Sequence, residues 1–158
     1  MRNSYWLVGT RLSVLADSAD TGGRYDFVEG WFPTGAQVPP HLHRRHAEQI
    51  YVLDGEFTVW AGRRKAVLRT GDDIAIPVGT AHALAVTGDG PGRALVIVSP
   101  SGFARLITDV GTPDDGGDES PAATDMDLLL RVSAELGDEY LDSAEILPDR
   151  FTEARGER

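Results

Sequence analysis

No cysteine occurs anywhere in the chain. That absence excludes a disulfide framework, a zinc ribbon and a thiolate nucleophile, and nothing ties the protein to an oxidising compartment. Basic residues are scarce beside acidic ones, 15 against 25, with Lys65 the single lysine and a net charge of −10. A surface of that sign repels phosphate backbones and anionic lipid, so neither a nucleic-acid nor a membrane partner is expected. Long apolar runs are missing too. Met1 to Thr10 holds one arginine and only the short stretch Trp6 to Val8, which suits neither a signal peptide nor a membrane span and makes the cytoplasm the expected location.

What is present is a succession of short strands. A chain of 158 residues buries enough surface for one barrel core and not comfortably for two. Strands are expected at Tyr5 to Leu15, Arg24 to Phe32, Val38 to His43, Glu48 to Leu53, Glu56 to Ala61, Arg64 to Leu68, Asp73 to Pro77, His82 to Thr87 and Ala94 to Ser99. Turn chemistry separates them at Thr21-Gly22-Gly23, Asp54-Gly55, Thr70-Gly71-Asp72 and Gly88 to Gly92. Many short strands with even punctuation mean an all-β sandwich or barrel.

Within the strands lie His41 and His43, then Glu48, then His82. Residues i and i+2 of a strand point to one face, so the two rings of His41 and His43 can reach one ion. Three neutral imidazoles and a carboxylate suit a single divalent transition metal, whether Fe, Mn, Co, Ni, Cu or Zn. If Glu48 points inward, Ile50 and Val52 follow, and with His82 go Leu84 and Val86. The metal's surroundings would then be apolar, either as barrel core or as the wall of a substrate pocket.

The spacing is fuller than the ligands alone. Gly35, five residues, His41, one, His43, four, Glu48, six, Gly55 is followed by Gly71, five, Pro77, one, Gly79, two, His82. This resembles the two signature motifs of the cupin superfamily, except that Val86 stands where the second motif ends in Asn. Asp20-Thr-Gly-Gly-Arg-Tyr25, Val28-Glu-Gly30, Ile50 to Glu56, Gly71 to Thr80, Ser99 to Phe103 and Leu136 to Leu141 look like the small single-barrel quercetin 2,3-dioxygenase-like cupins.

The resemblance implies a jelly-roll barrel, a metal on His41, His43, Glu48 and His82, Glu48 as catalytic base, a small-molecule substrate and a homodimer. A dioxygenase acting on a small aromatic or flavonol-like substrate is the first expectation. Polyketide cyclisation or isomerisation without dioxygen suits the same ligands, as does a non-catalytic small-molecule-binding barrel.

The organisation expected is a barrel over residues 1–110, a flexible acidic linker over 111–124, and a C-terminal helix with its tail over 125–158. Thr124 is read as the helix cap, Met126, Leu129, Leu130 and Leu136 as its apolar face, and Gly137 as its end. The helix is expected to pack on the outside of the barrel. His46 and the Arg44-Arg45 run are read as a solvated loop, and residues from Phe151 onward as a frayed end.

Overall fold

Glycine turns cut the polypeptide into elements too short to bury their own apolar faces, and the computed structural model, which describes residues 3–142, shows how these are layered. In chain order they are β1 (Ser4–Leu7), β2 (Thr10–Ala16), α1 (Ser18–Thr21), β3 (Asp26–Phe32), β4 (Gln37–His43), β5 (Ala47–Asp54), β6 (Glu56–Ala61), β7 (Arg64–Arg69), β8 (Asp73–Ile76), β9 (His82–Val86), β10 (Gly92–Ser99), α2 (Phe103–Val110), β11 (Thr112–Pro113), α3 (Met126–Leu136) and β12 (Asp138–Tyr140). One sheet has the order β11-β1-β2-β3-β10-β5-β8, the other β12-β4-β9-β6-β7. Every pairing between neighbours is antiparallel. The molecule is thus an all-β jelly roll of two sheets with a helix near its C-terminal end.

Alternation places the core. Phe32, Ile50, Val52 and Ile74 of the first sheet meet Phe57, Val59, Leu84 and Val86 of the second in one apolar cluster. Tyr51, between two of these, is exposed, as the two-residue period of a strand requires. A separate cluster joins Leu7, Leu12 and Val28 to Leu106, Ile107 and Val110 of α2 and to Leu129 and Val132 of α3. Both helices therefore sit outside the inter-sheet core. Gly55 carries φ of +83°, and a Cβ there would lie 2.6 Å from the Pro91 carbonyl oxygen, so the Asp54-Gly55 turn tolerates no side chain without moving the β9–β10 connection.

Four expectations change. The segment Tyr5 to Leu15 is a hairpin rather than one strand, because Val8 and Gly9 both adopt positive φ, 48° and 74°, the geometry of a two-residue turn. The helix N-cap is Asp125, whose side chain accepts from the Leu128 N–H, while the Thr124 hydroxyl accepts from the Val8 N–H at 2.8 Å. On α3 the buried stripe is Leu129, Val132 and Ser133, whereas Met126 and Leu130 are 51% and 50% exposed. The sequence offers two apolar stripes on α3, and contact with α2 selects the one centred on Leu129. Finally, α2 itself was not foreseen.

The acidic segment has attachments of its own. β11 pairs with β1, and Asp114 accepts from the Trp6 indole at 3.1 Å. The frayed end expected from Phe151 lies outside the described residues. No helix among the described residues is long and apolar enough to cross a membrane.

Candidate metal centre

Two prolines and a turn shape the strand ends that meet here. Pro39 and Pro40 have no N–H to give the ladder, and the β4–β9 register shifts between Val38 and His41, which sets His41 directly opposite His82. After β8 the turn at Pro77 is closed by Thr80 N–H donating to the Pro77 carbonyl at 3.2 Å and is docked by Gly79 N–H donating to the His43 carbonyl at 2.7 Å. This turn delivers His82 beside β4. Glu48 comes from the other sheet, paired with Val98 of β10 and Ile76 of β8.

The four residues converge. Their candidate ligand atoms all lie within 4.8 Å of one another. The His41 and His82 ring centroids are 4.2 Å apart, and the His43 ring is 4.9 Å from the first and 5.1 Å from the second. Glu48 Oε2 is 3.1 Å from His43 Nε2 and 3.2 Å from His82 Nε2.

Proton accounting shows what this arrangement lacks. His41 Nδ1 and His82 Nδ1 each face a backbone carbonyl at 2.8 Å, of Pro39 and Thr80. A carbonyl only accepts, so both rings carry their proton on Nδ1, and a neutral His82 aims a bare Nε2 lone pair at Glu48. His43 has a carboxylate on both sides, Asp138 Oδ1 at 2.6 Å from Nδ1 and Glu48 Oε2 from Nε2. These lone pairs repel unless a cation lies among them. The residues therefore fit a divalent metal, and in the metal-free protein a proton on His43 takes that part.

The protonation equilibria follow. Burial pulls the His43 pKa down, but its hydrogen bonds to Asp138 and Glu48 more than offset this and raise it to about 9. Burial raises Glu48, yet the hydrogen bond from protonated His43 holds its carboxyl well below the usual carboxylate range. His41 is driven down to about 4 by burial and by the neighbouring His82, and stays neutral.

One prediction follows directly. In the metal-free protein the His43 proton contributes stability that is fully present below about pH 6.5, the free imidazole value, and is lost as pH rises through about 9. Metal must displace the same proton, so apparent metal affinity rises across that window. Thermal melts of chelated protein between pH 6 and 10, paired with metal titrations, check both; a flat melting temperature would contradict the His43 assignment.

Of the residues set aside earlier, His46 needs correction. It is 3% exposed, and its Nε2 donates to Asp138 Oδ1 at 3.0 Å. It is not a solvated loop histidine, because β12 folds back along β4 and covers it. Asp138 lies in the Leu136 to Leu141 stretch, where sequence alone gives it no role. Arg44 and Arg45 are exposed as expected, though Arg44 pairs with Glu139 and Arg45 donates to the Glu135 carbonyl. Ile50, Val52, Leu84 and Val86 are all buried in the inter-sheet cluster, on the strands that carry Glu48 and His82.

Comparison with known proteins agrees with this picture. The cupin domain model matches residues 31–98, which contain all four candidate ligands. Quercetin 2,3-dioxygenase of Bacillus subtilis (strain 168) is 28% identical over 111 residues, 70% of this chain and 33% of that protein. The enzyme of the same name from Aspergillus japonicus is 32% identical over 80 residues, 48% of this chain and 23% of that one. The chain thus spans a third or less of the length of these curated relatives. The crystal structure of an RmlC-like cupin from Shewanella frigidimarina superposes with a TM-score of 0.57 at 25% identity, covering 64% of this chain and 86% of the other. Residues 31–98, which carry both motifs, thus match a cupin domain, and the two antiparallel sheets around them agree with that fold.

Proposed function

We propose that the protein is a metal-dependent dioxygenase of a small aromatic, flavonol-like substrate, with His41, His43, Glu48 and His82 as its metal ligands. The observation that carries the reading is the convergence of three imidazoles and a carboxylate on one point, their candidate ligand atoms all within 4.8 Å of one another. Similarity to the two quercetin 2,3-dioxygenases supports the reaction class. A divalent transition metal bound there would lower the pKa of a substrate hydroxyl and raise its reactivity toward dioxygen.

The chain's own residues supply the rest. Glu48, within hydrogen-bond distance of two imidazoles, is placed to take the hydroxyl proton, so no separate base is needed. Ile50, Val52, Leu84 and Val86 give the region an apolar floor that favours a ring over water. A homodimer in the cytoplasm belongs to the same reading, and light scattering at micromolar concentration checks the assembly.

The test is oxygen uptake by the metal-loaded protein against a panel of flavonols and catechol-like compounds. Stoichiometric consumption of dioxygen with substrate is the expected result. Turnover without oxygen uptake would replace the reading with a cyclase or isomerase, and tight binding without turnover would replace it with a small-molecule-binding barrel.

A further inference from the structure

His41 and His82 are oriented by their own strands. Each Nδ1 is held by the carbonyl two residues earlier. His43 is oriented from 95 residues away, by the carboxylate of Asp138. β12 pairs antiparallel with β4 so that Asp138 lies opposite His43 and Tyr140 opposite His41. Gly137 ends α3 in the left-handed conformation, φ +81°, its carbonyl accepts from the Arg44 N–H at 2.9 Å, and the next residue is Asp138.

The carboxylate is itself held. His46 Nε2 donates to the same oxygen, Oδ1, that faces His43, and the side chains of Asp138 and His46 are 6% and 3% exposed. The His43 and His46 ring centroids are 5.1 Å apart. A carboxylate taken out of water and fixed by two imidazoles is a poor choice for merely fastening a strand whose backbone pairing already fastens it. It is a good choice for a ligand's outer nitrogen. An imidazole that donates to a carboxylate is a stronger electron donor at its far nitrogen, and its ring is fixed for coordination.

Charge points the same way. A divalent ion on three neutral imidazoles and Glu48 leaves one positive charge over, and Asp138 supplies the balancing negative charge one ring away. Resting on the metal reading above, we propose that Asp138, steadied by His46, is a positioning residue of the centre: it orients His43 and strengthens it as a donor, so that the α3–β12 segment sets the affinity for the metal.

The experiment uses the full chain and Co(II), titrated against a competing chelator, with the electronic absorption spectrum of the bound ion as a second readout. Asp138→Asn keeps an oxygen that can accept from His43 but removes the charge. It should weaken Co(II) binding by about 10- to 100-fold and shift the absorption bands, while circular dichroism stays that of the wild type. His46→Phe leaves Asp138 in place without its second partner and should weaken binding by a smaller factor. If Asp138→Asn fails to fold, His46→Phe decides. Wild-type affinity and spectrum in the folded variants, even with a lower melting temperature, would show that Asp138 only fastens β12 and would overturn the proposal. Absence of Co(II) binding in the wild type would instead remove the metal reading, and this inference with it.

Discussion

His82→Ala is expected to leave a folded barrel that holds no metal. The imidazole is 1% exposed on β9, between β4 and β6, and it faces Glu48 Oε2 with an Nε2 that its Nδ1 bond to the Thr80 carbonyl keeps free of a proton. Removing it deletes one of four donors outright, a larger loss than the 10- to 100-fold, or about 1.4 to 2.7 kcal/mol, that an outer partner typically controls. The cavity left behind costs the fold on the order of 2 kcal/mol. Leu84 and Val86 on the same face of β9 keep the inter-sheet cluster together. Elemental analysis after dialysis, with circular dichroism for the fold, reads the outcome. A chelator should lower the melting temperature of the wild type by removing a ligand that binds only the native state, and should leave the variant's unchanged. Full metal occupancy in folded His82→Ala would end the assignment.

How much of this was legible in the sequence depends on the distance over which each contact is made. His41 and His43 share a face because they are two residues apart on one strand, and the Pro77 and Gly79 turn sits within five residues of His82. Such local geometry is written in local residues. The bulge at Pro39 and Pro40 shifts the ladder ahead of His41, so it moves neither histidine relative to the other. Glu48 and Ile50 likewise lie in a stretch of β5 whose register against β8 is unbroken, and Val52 follows them into the inter-sheet cluster. Turn glycines could be read too, although Gly9 was missed as the turn of the first hairpin because the apolar residues around it mimic one long strand.

What escaped was non-local. Nothing near His46 in sequence announces Asp138, 92 residues away, and β12 is three residues long, too short to carry a period of its own. The acidic stretch before α3 resembles linker by composition, yet Asp114 finds the Trp6 indole, a pairing that only the folded chain reveals. On α3 the periodicity was correct and half of the expected face was, since Leu129 and Leu136 pack on the cluster while Met126 and Leu130 are exposed. Met126 and Leu130 are as apolar as Leu129 and Val132, and it is the presence of α2 on one side that chooses between them.

Glu48→Gln separates the two duties assigned to that residue, holding the metal and taking a proton. The amide oxygen still reaches toward the imidazoles of His43 and His82, but an amide accepts no proton at neutral pH. Substantial metal should remain while turnover per bound ion falls by about 10²-fold or more. In the metal-free protein the hydrogen bond from His43 holds the Glu48 carboxyl well below the ordinary range, against burial that would raise it. A base so depressed is a weak one. The His43 proton responsible has to leave when that ring turns its lone pair to a metal, and the divalent cation that takes its place favours the carboxylate form of Glu48 in turn. The test is therefore whether turnover per bound ion depends on the Glu48 carboxylate. Measuring turnover per bound metal ion for wild type and Glu48→Gln, each reconstituted with the same ion, checks this. Normal turnover in the reconstituted Gln variant would place proton transfer on another group, and Glu48 would keep only its role as a ligand.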